Sequence, residues 1–286
     1  MKIPRSEKPM VQLRMTEGYK FVNKIVSQHS LNTVCEEARC PNIYDCWGRE
    51  TATIMILGDV CTRSCGFCSV RIGKPSIVDI DEPNRVGQAV KKMGLRHVVL
   101  TSVDRDDLKE DFGAAIWAET ILRTRDWSPN CTIEVLTPDF QGYEPALKKV
   151  FDTQPDIFSH NVECVERISK KVRVQANWRR SLEVLEKSVD NGLLTKSGIM
   201  VGLGETKTEV LATMKQIAAI GVKIFTIGQY LQPTINHLPV NRFVDKAEFE
   251  LYKTEGLKLG FEILESGPLV RSSYHADEQA SLALMD

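Results

Sequence analysis

The sequence of 286 residues has almost no net charge and no long apolar run. Lys and Arg number 37 and Asp and Glu number 38, so the formal charge is −1. A chain of this kind has no overall field that would hold nucleic acid or an anionic membrane surface. No apolar stretch approaches the roughly 18 residues of a membrane-spanning helix, and residues 1–30 contain no apolar signal core. We therefore expect a cytoplasmic protein that binds neither nucleic acid nor a membrane.

Two common phosphate-binding patterns are also missing. The sequence has no G-x-G-x-x-G that opens a helix and no G-x-x-x-x-G-K-[ST], which disfavours a dinucleotide or ATP enzyme. In the segment SGIMVGLGE, Gly198 and Gly202 fall within a predicted strand and Glu205 follows it. Glycines at the end of a strand let a flat ligand approach the backbone closely, so this segment is a candidate ligand-binding strand.

Cysteine is the unusual component, with eight residues, six of them between positions 35 and 68. A disulfide framework is disfavoured, because nothing indicates an oxidising compartment. The other two, Cys131 and Cys164, lie at or beside predicted strands and are interpreted as small packed residues. The six clustered cysteines form two triplets, which are Cys35, Cys40 and Cys46 (C-x4-C-x5-C), and Cys61, Cys65 and Cys68 (C-x3-C-x2-C).

The triplets fit an iron–sulfur cluster better than a structural zinc ion. Zinc usually takes four ligands from paired C-x2-C knuckles, and neither triplet has a second knuckle or a nearby His at ligand spacing. A 4Fe–4S cluster held by three thiolates keeps one iron open for another ligand. The second triplet follows the predicted strand 52–57, as a cluster loop would. A shared or binuclear zinc site is the alternative.

Short β-rich runs alternate with amphipathic segments after Cys68, which predicts an α/β fold. Six β/α units are too few for a closed eight-fold barrel, so we expect a partial (β/α)6 TIM-like barrel over residues 51–245. An N-terminal extension (1–50) and a C-terminal helix with an RSSY segment (246–286) would flank it. The predicted strands are 52–57, 97–102, 132–136, 156–162, 197–203 and 223–229, and the helices are 84–93, 111–125, 143–152, 177–191 and 205–219.

Polar residues follow the predicted strands and would converge at one mouth of the barrel. Each of them alone fits a helix cap or a turn, but their placement at successive strand ends predicts a ligand site. These residues are Thr101, Ser102, Asp104, Arg105, Asp106, Pro138, Asp139, His160, Asn161, Glu163, Gly204, Glu205, Gln229 and Tyr230.

Six segments between residues 31 and 276 carry a family resemblance. The loop GDVCTRSCGFCSV (58–70) resembles the cluster loop of radical S-adenosylmethionine enzymes. The wider set resembles the lipoyl synthase family, most specifically through the two cysteine triplets together with RSSY. The other segments are LNTVCEEARCPNIYDCW (31–47), TSVDRDDL (101–108), KSGIMVGLGE (196–205), TIGQYLQP (226–233) and GPLVRSSYHA (267–276).

The resemblance implies two 4Fe–4S clusters. Cys61, Cys65 and Cys68 would hold a reducing cluster whose open iron binds S-adenosylmethionine, which is cleaved to a 5′-deoxyadenosyl radical. Cys35, Cys40 and Cys46 would hold an auxiliary cluster that donates sulfur to C6 and C8 of a protein-bound octanoyl chain. Its fourth iron would be bound by Ser273, with Ser272 as the alternative.

The resemblance also implies contacts with S-adenosylmethionine and with protein partners. Thr101 and Ser102 would flank the methionine part, Asn161 and Glu163 would reach the ribose, and the strand of Gly198 and Gly202, with Glu205 at its end, would back the adenine. The partners implied are octanoylated lipoyl carrier domains and an electron donor of the ferredoxin or flavodoxin type. The basic residues 1–30 would wrap the barrel or dock an acidic carrier, or form a solvated tail.

Other hypotheses stay open at this stage. Another sulfur-inserting radical enzyme, of the biotin synthase or methylthiotransferase kind, would arrange its second cluster differently and would not need RSSY. A non-enzymatic iron–sulfur or zinc protein would need no polar residues around an open iron. The segment 159–182 (SHNVECVERISKKVRVQANWRRSL) departs from the usual family sequence, which would alter carrier recognition or indicate a second paralogue with a narrower role.

Overall fold

The computed structural model describes residues 14–49 and 51–284. In those ranges no helix combines the length and the apolar character needed to cross a membrane. The strands are β1 (Asn32–Thr33), β2 (Thr53–Ile56), β3 (Val60–Cys61), β4 (Arg71–Ile72), β5 (His97–Ser102), β6 (Thr132–Leu136), β7 (Ile157–Ser159), β8 (Thr195–Val201), β9 (Ile224–Gln229) and β10 (Ile263–Gly267). The helices are α1 (Glu17–Gln28), α2 (Val34–Glu37), α3 (Ile43–Gly48), α4 (Glu82–Met93), α5 (Ala114–Trp127), α6 (Glu144–Phe151), α7 (Glu166–Val172), α8 (Trp178–Asp190), α9 (Lys207–Ile220), α10 (Lys246–Leu259) and α11 (Ala276–Ala283).

The main sheet has eight strands in the order β1-β2-β5-β6-β7-β8-β9-β10. All neighbours pair in parallel except β1, which pairs antiparallel with β2 at one edge. The partial α/β barrel is therefore confirmed, and all six predicted strands are present. Two strands of this sheet, β1 and β10, were missed, as were β3 and β4, which form a separate two-stranded sheet. The sheet continues past residue 245 into β10, a seventh parallel strand, which pairs with β9 from Ile263 to Gly267.

The crossover helices follow from local sequence signals, as α9 shows. Thr206 caps its first turn and Glu209 reaches back to the Thr206 N–H, which together form a capping box. Val210, Met214 and Ile217, predicted from their helical spacing, are fully buried. The helix ends at Gly221, whose φ of +102° favours glycine because this backbone region is strained for other residues.

The core is largely apolar and includes the two isolated cysteines. Cys131 and Cys164 are 6% and 0% exposed, as expected for packing residues. The core also encloses a charged pair, in which the Lys196 Nζ of β8 lies 2.9 Å from the Glu134 Oε1 of β6, and both side chains are fully buried. An enclosed ion pair of this kind is costly to break, because removing either partner strands the other charge.

The two ends of the described chain lie against each other. The Asn42 side chain donates a hydrogen bond of 2.7 Å to the carbonyl of Leu269, and the Tyr274 hydroxyl donates one of 3.0 Å to Asp45. Helix α1 packs against α3 and α4 through a buried apolar stripe. The predicted wrapping or docking role of the basic amino terminus falls partly on residues 1–13, which lie outside the described residues.

Candidate active site

A cavity of about 450 Å³ opens at the carboxyl ends of the parallel strands, where barrel enzymes carry their active sites. Its walls come from the cluster loop after β2, from the ends of β5 to β9 and from the segment after β10. It brings together most of the residues predicted from the sequence, which are Cys61, Cys65, Cys68, Thr101, Ser102, Asn161, Glu163, Gly198, Ser272 and Ser273.

The loop that carries the second cysteine triplet is held by its backbone. The sulfur of Cys61 accepts N–H bonds of 3.4 Å from Arg63 and from Asp104. Gly66 donates its N–H to the Val172 carbonyl at 2.8 Å and accepts from the Leu238 N–H at 2.9 Å. The loop is thereby fixed between two other segments, and N–H bonds to sulfur are of the kind that tune a bound cluster.

The three thiols suit a positively charged cluster. Burial raises the pKa of Cys61 and Cys65 to about 12 and that of Cys68 to about 11. Thiolates at these positions therefore need a strong cation beside them. Within residues 14–49 and 51–284, no three His, Cys, Asp or Glu side chains lie close enough to hold one metal ion.

Arg63 anchors the cluster loop, a role that the sequence analysis missed. Its side chain is only 2% exposed and forms ion pairs with Asp104 (3.1 Å), Asp106 (2.7 Å) and Asp139 (2.7 Å). Burial opposes ionisation of Asp139, but Arg63, helped by Arg180, holds the pKa of that carboxyl well below its usual range. The only hint in the sequence is that an arginine stands between two of the cysteines.

The first cysteine triplet lines a second, smaller pocket. Cys35, Cys40 and Cys46 face it together with Thr53, Arg271 and Ser273. Burial raises the pKa of Cys35 to about 12 and also raises that of Cys40, so these thiols too require a cation to ionise. Cys40, Arg271 and Ser273 also line the large cavity. The two cysteine sites therefore share a wall.

The two candidate serines have different surroundings. The Ser273 Oγ accepts a hydrogen bond of 2.8 Å from Thr53 and lines the small pocket. The Ser272 Oγ accepts a hydrogen bond of 2.6 Å from the Asn161 amide. Ser272 lines the large cavity but not the small pocket. Ser273 is thus the serine that shares a pocket with the first triplet.

The polar residues at the end of β5 and after β7 keep part of their hydrogen-bonding capacity for a ligand. Thr101 donates to the Leu136 carbonyl at 2.9 Å, and Ser102 accepts from the Trp117 indole at 3.2 Å. The Oδ1 of Asn161 is buried and has no hydrogen-bond partner in the described part of the chain. A buried amide oxygen with no partner is expected to accept from a ligand. Burial raises the pKa of Glu163 in the same wall.

The glycine-rich segment 198–205, which covers the end of β8 and the turn after it, divides into two parts. A Cβ on Gly198 would lie 2.3 Å from the Thr226 hydroxyl, so the flat wall of the cavity requires glycine there. Gly202 and Glu205 lie outside the cavity lining. The Glu205 carboxylate accepts N–H bonds of 2.6 Å from Gly202 and 2.9 Å from Leu203, so it stabilises the turn that ends the strand.

Arg173 is a second cavity residue that the sequence did not single out. It is 6% exposed and donates to the Val162 carbonyl at 3.2 Å and to the Ser181 hydroxyl at 3.1 Å. Burial, with a further contribution from Arg173, lowers the pKa of the neighbouring His160 to about 4. His160 is therefore neutral at pH 7. In the sequence, Arg173 is only one cation of a basic run.

Comparison with known proteins agrees with this site. A model of the radical SAM superfamily matches residues 55–217. A lipoyl synthase of Rubrobacter xylanophilus is 57% identical over 264 residues, which cover 92% of this chain and 82% of the relative. A mitochondrial lipoyl synthase of Nematostella vectensis is 48% identical over 279 residues, which cover 96% of each.

Solved structures match at much lower identity and bear on the fold alone. Streptococcus suis SuiB bound to S-adenosylmethionine matches with a TM-score of 0.60 at 9% identity, covering 89% of this chain and 67% of that one. Methylornithine synthase matches with a TM-score of 0.54 at 13% identity, covering 92% and 82%. Both support the radical SAM fold. Because the two lipoyl synthases are 57% and 48% identical to it over more than nine-tenths of its length, the chain belongs to the lipoyl synthase family of radical SAM enzymes.

Proposed function

We propose that the two cysteine sites of this lipoyl synthase divide its reaction between radical formation and sulfur supply. The substrate is an octanoyl chain on a lipoyl carrier protein, and the product carries sulfur at C6 and C8. The observation behind the proposal is the wall that the two cysteine pockets share, which is formed by Cys40, Arg271 and Ser273.

Radical formation is assigned to the large cavity. Cys61, Cys65 and Cys68 hold a 4Fe–4S cluster. When bound, this cluster and S-adenosylmethionine together supply a radical that removes hydrogen from an unactivated methylene. Thr101, Ser102, Asn161 and Glu163 orient S-adenosylmethionine, and Gly198 leaves room for its flat base. Gly202 and Glu205 hold the end of the strand behind it.

Sulfur supply is assigned to the small pocket. Cys35, Cys40 and Cys46 hold a second cluster, with Ser273 on its fourth iron, and this cluster is consumed as the sulfur-donating substrate. Thr53 already donates a hydrogen bond to Ser273 and so orients its oxygen. Cys40 and Ser273 reach both pockets, so the octanoyl chain meets the sulfur donor without leaving the cavity.

The chain divides into three functional regions under this proposal. Residues 1–50 and 246–286 supply the cysteines and the serine of the second cluster site, and residues 51–245 form most of the radical-generating barrel, whose sheet is extended by β10. An electron donor of the ferredoxin or flavodoxin type reduces the cluster in the barrel. Similarity to lipoyl synthases along nearly the whole chain favours this reaction over that of other sulfur-inserting radical enzymes.

Anaerobic reconstitution tests the proposal. We expect about eight iron and about eight sulfide per chain, as two four-iron clusters. The variant Cys35→Ala would still cleave S-adenosylmethionine but form no thiolated product, whereas Cys61→Ala would lose both activities. Stoichiometric zinc without iron would refute the proposal, and so would sulfur insertion by Cys35→Ala.

A further inference from the structure

We propose that the outer surface around Gly66 docks an acidic, one-electron donor protein. This surface, the Gly66 face, consists of Lys170, Lys171 and the segments 172–175 and 234–238. The inference rests on the proposed cluster at Cys61, Cys65 and Cys68. It adds where the electron enters and what kind of protein delivers it.

The Gly66 face contacts the cluster loop directly. Gly66 is hydrogen-bonded on one side to Val172 and on the other to Leu238, at 2.8 and 2.9 Å. Cys65 forms an isolated β-bridge with Arg173. The His237 Nε2 lies 2.9 Å from the Cys68 carbonyl. A protein seated on these two segments is therefore one backbone layer away from the cysteines.

This face lies on the outer side of the loop. The large cavity is lined by Cys61, Cys65 and Cys68. Gly66 does not line it, and Arg173 is the only residue of the Gly66 face that does. The octanoyl chain has to enter the cavity and therefore passes on the inner side. An electron needs no opening and can cross the loop from the outside. The geometry therefore favours the electron donor over the acyl carrier as the occupant.

Exposed apolar side chains stand on both flanking segments. Val174 is 63% exposed and Ile235 is 92% exposed. Large apolar groups exposed beside a functional loop indicate an interaction site. Electron-transfer encounters bury little surface, so a small patch of this kind is sufficient.

The charge of the face selects the partner. Lys170 and Lys171 are exposed, and neither forms an ion pair with any residue in the described ranges. The surrounding stretches 169–177 (SKKVRVQAN) and 231–241 (LQPTINHLPVN) contain no Asp or Glu. A positive face without carboxylates steers an acidic partner and disfavours a basic one.

The test compares two reductants on matched variants. In Lys170→Glu/Lys171→Glu the face is reversed in charge. The control is Lys91→Glu/Lys92→Glu, which also replaces two adjacent exposed lysines in the last turn of a helix, here α4. Helix α4 leads into the start of β5, so the control lies at the opposite end of the barrel. Each reconstituted protein is mixed with reduced flavodoxin, an acidic one-electron donor. The flavodoxin loses one electron, the cluster gains it, and the cluster's EPR signal reports the rate. Dithionite serves as a small reductant that needs no docking.

With flavodoxin at low salt, we expect Lys170→Glu/Lys171→Glu to lower the reduction rate on the order of tenfold and to flatten its salt dependence. With dithionite, reduction and sulfur insertion would match those of the parent, and the control would match in both assays. Val174→Glu should slow only the flavodoxin reaction. If Lys170→Glu/Lys171→Glu lost as much sulfur insertion with dithionite as with flavodoxin, the face would be assigned to the acyl carrier instead. No change with flavodoxin would overturn the inference, whereas absence of iron in the parent would refute the proposed function itself.

Discussion

Arg63 and Asp139 form a buried ion pair, with 2.7 Å between the Arg63 Nη2 and the Asp139 Oδ1 and side-chain exposures of 2% and 0%. Arg63 stands between two cysteines of the cluster loop, and Asp139 follows β6. Asp139 is also bound by Arg180 at 2.8 Å. The pair therefore ties the cluster loop to the ends of the barrel strands by a contact that solvent does not screen.

We predict that Arg63→Gln lowers the free energy of unfolding by about 3–5 kcal/mol, because it leaves buried carboxylates without their partner. The exposed pair of Arg167 and Glu209 offers the control, because solvent screens this pair and Arg167→Gln should therefore cost far less than Arg63→Gln. Anaerobic urea titrations of both variants measure the difference. Equal costs would show that the loop does not depend on this ion pair.

Replacing each of the two serines of RSSY in turn should affect the spectrum of the second cluster differently. We predict that Ser273→Ala changes the Mössbauer signature of one iron of the second cluster, because its oxygen shares a pocket with Cys35, Cys40 and Cys46. Ser272→Ala should leave that signature unchanged, since Ser272 does not line the pocket of the first triplet. The opposite pattern would assign the ligand to Ser272.

Gly228 should be essential for the placement of RSSY. A Cβ at Gly228 would lie 2.1 Å from the backbone carbonyl of Val270, so Gly228→Ala has to displace the segment that leads to Ser273. We predict loss of about half of the bound iron in Gly228→Ala, because only the second cluster is proposed to take a ligand, Ser273, from that segment. Gly267 faces Gly228 in the next strand, but its Cβ would meet only a Val270 methyl group at 3.4 Å. Gly267→Ala should therefore keep its iron, and similar losses in both variants would contradict the prediction.

His160 should make stability depend on pH. Burial lowers the pKa of His160 to about 4, from 6.5 in the unfolded chain. Between these values the unfolded chain binds a proton that the folded chain does not, so this stabilisation is complete above pH 6.5 and is lost as the pH falls. We predict that His160→Gln reduces the loss of stability between pH 7 and pH 5 by about 2 kcal/mol. Urea titrations at the two pH values measure it, and parallel losses in parent and variant would be inconsistent with a neutral His160.

The sequence was sufficient to predict the elements of the fold and of the site that depend on local residue patterns. The six strands and α9 follow from periodicity and capping, and the two triplets follow from cysteine spacing. The missed strand β10 has the pattern ILESG, which alternates poorly and gains its stability from pairing with β9. The anchoring role of Arg63 was missed because its three carboxylates come from distant loops. Glu205 stands at a strand end, where site residues are expected, yet its carboxylate accepts hydrogen bonds from the backbone of its own turn.

The meeting of the chain ends has a consequence for turnover. Asn42 and Leu269 are joined across 227 positions, and the second cluster site draws its groups from the same two ends. A cluster bound there closes almost the whole chain into a ring, as a disulfide with a very long loop would, and long loops are the ones whose closure stabilises a fold most. On the proposed reaction, the enzyme therefore dismantles a cross-link of its own fold each time it gives up sulfur.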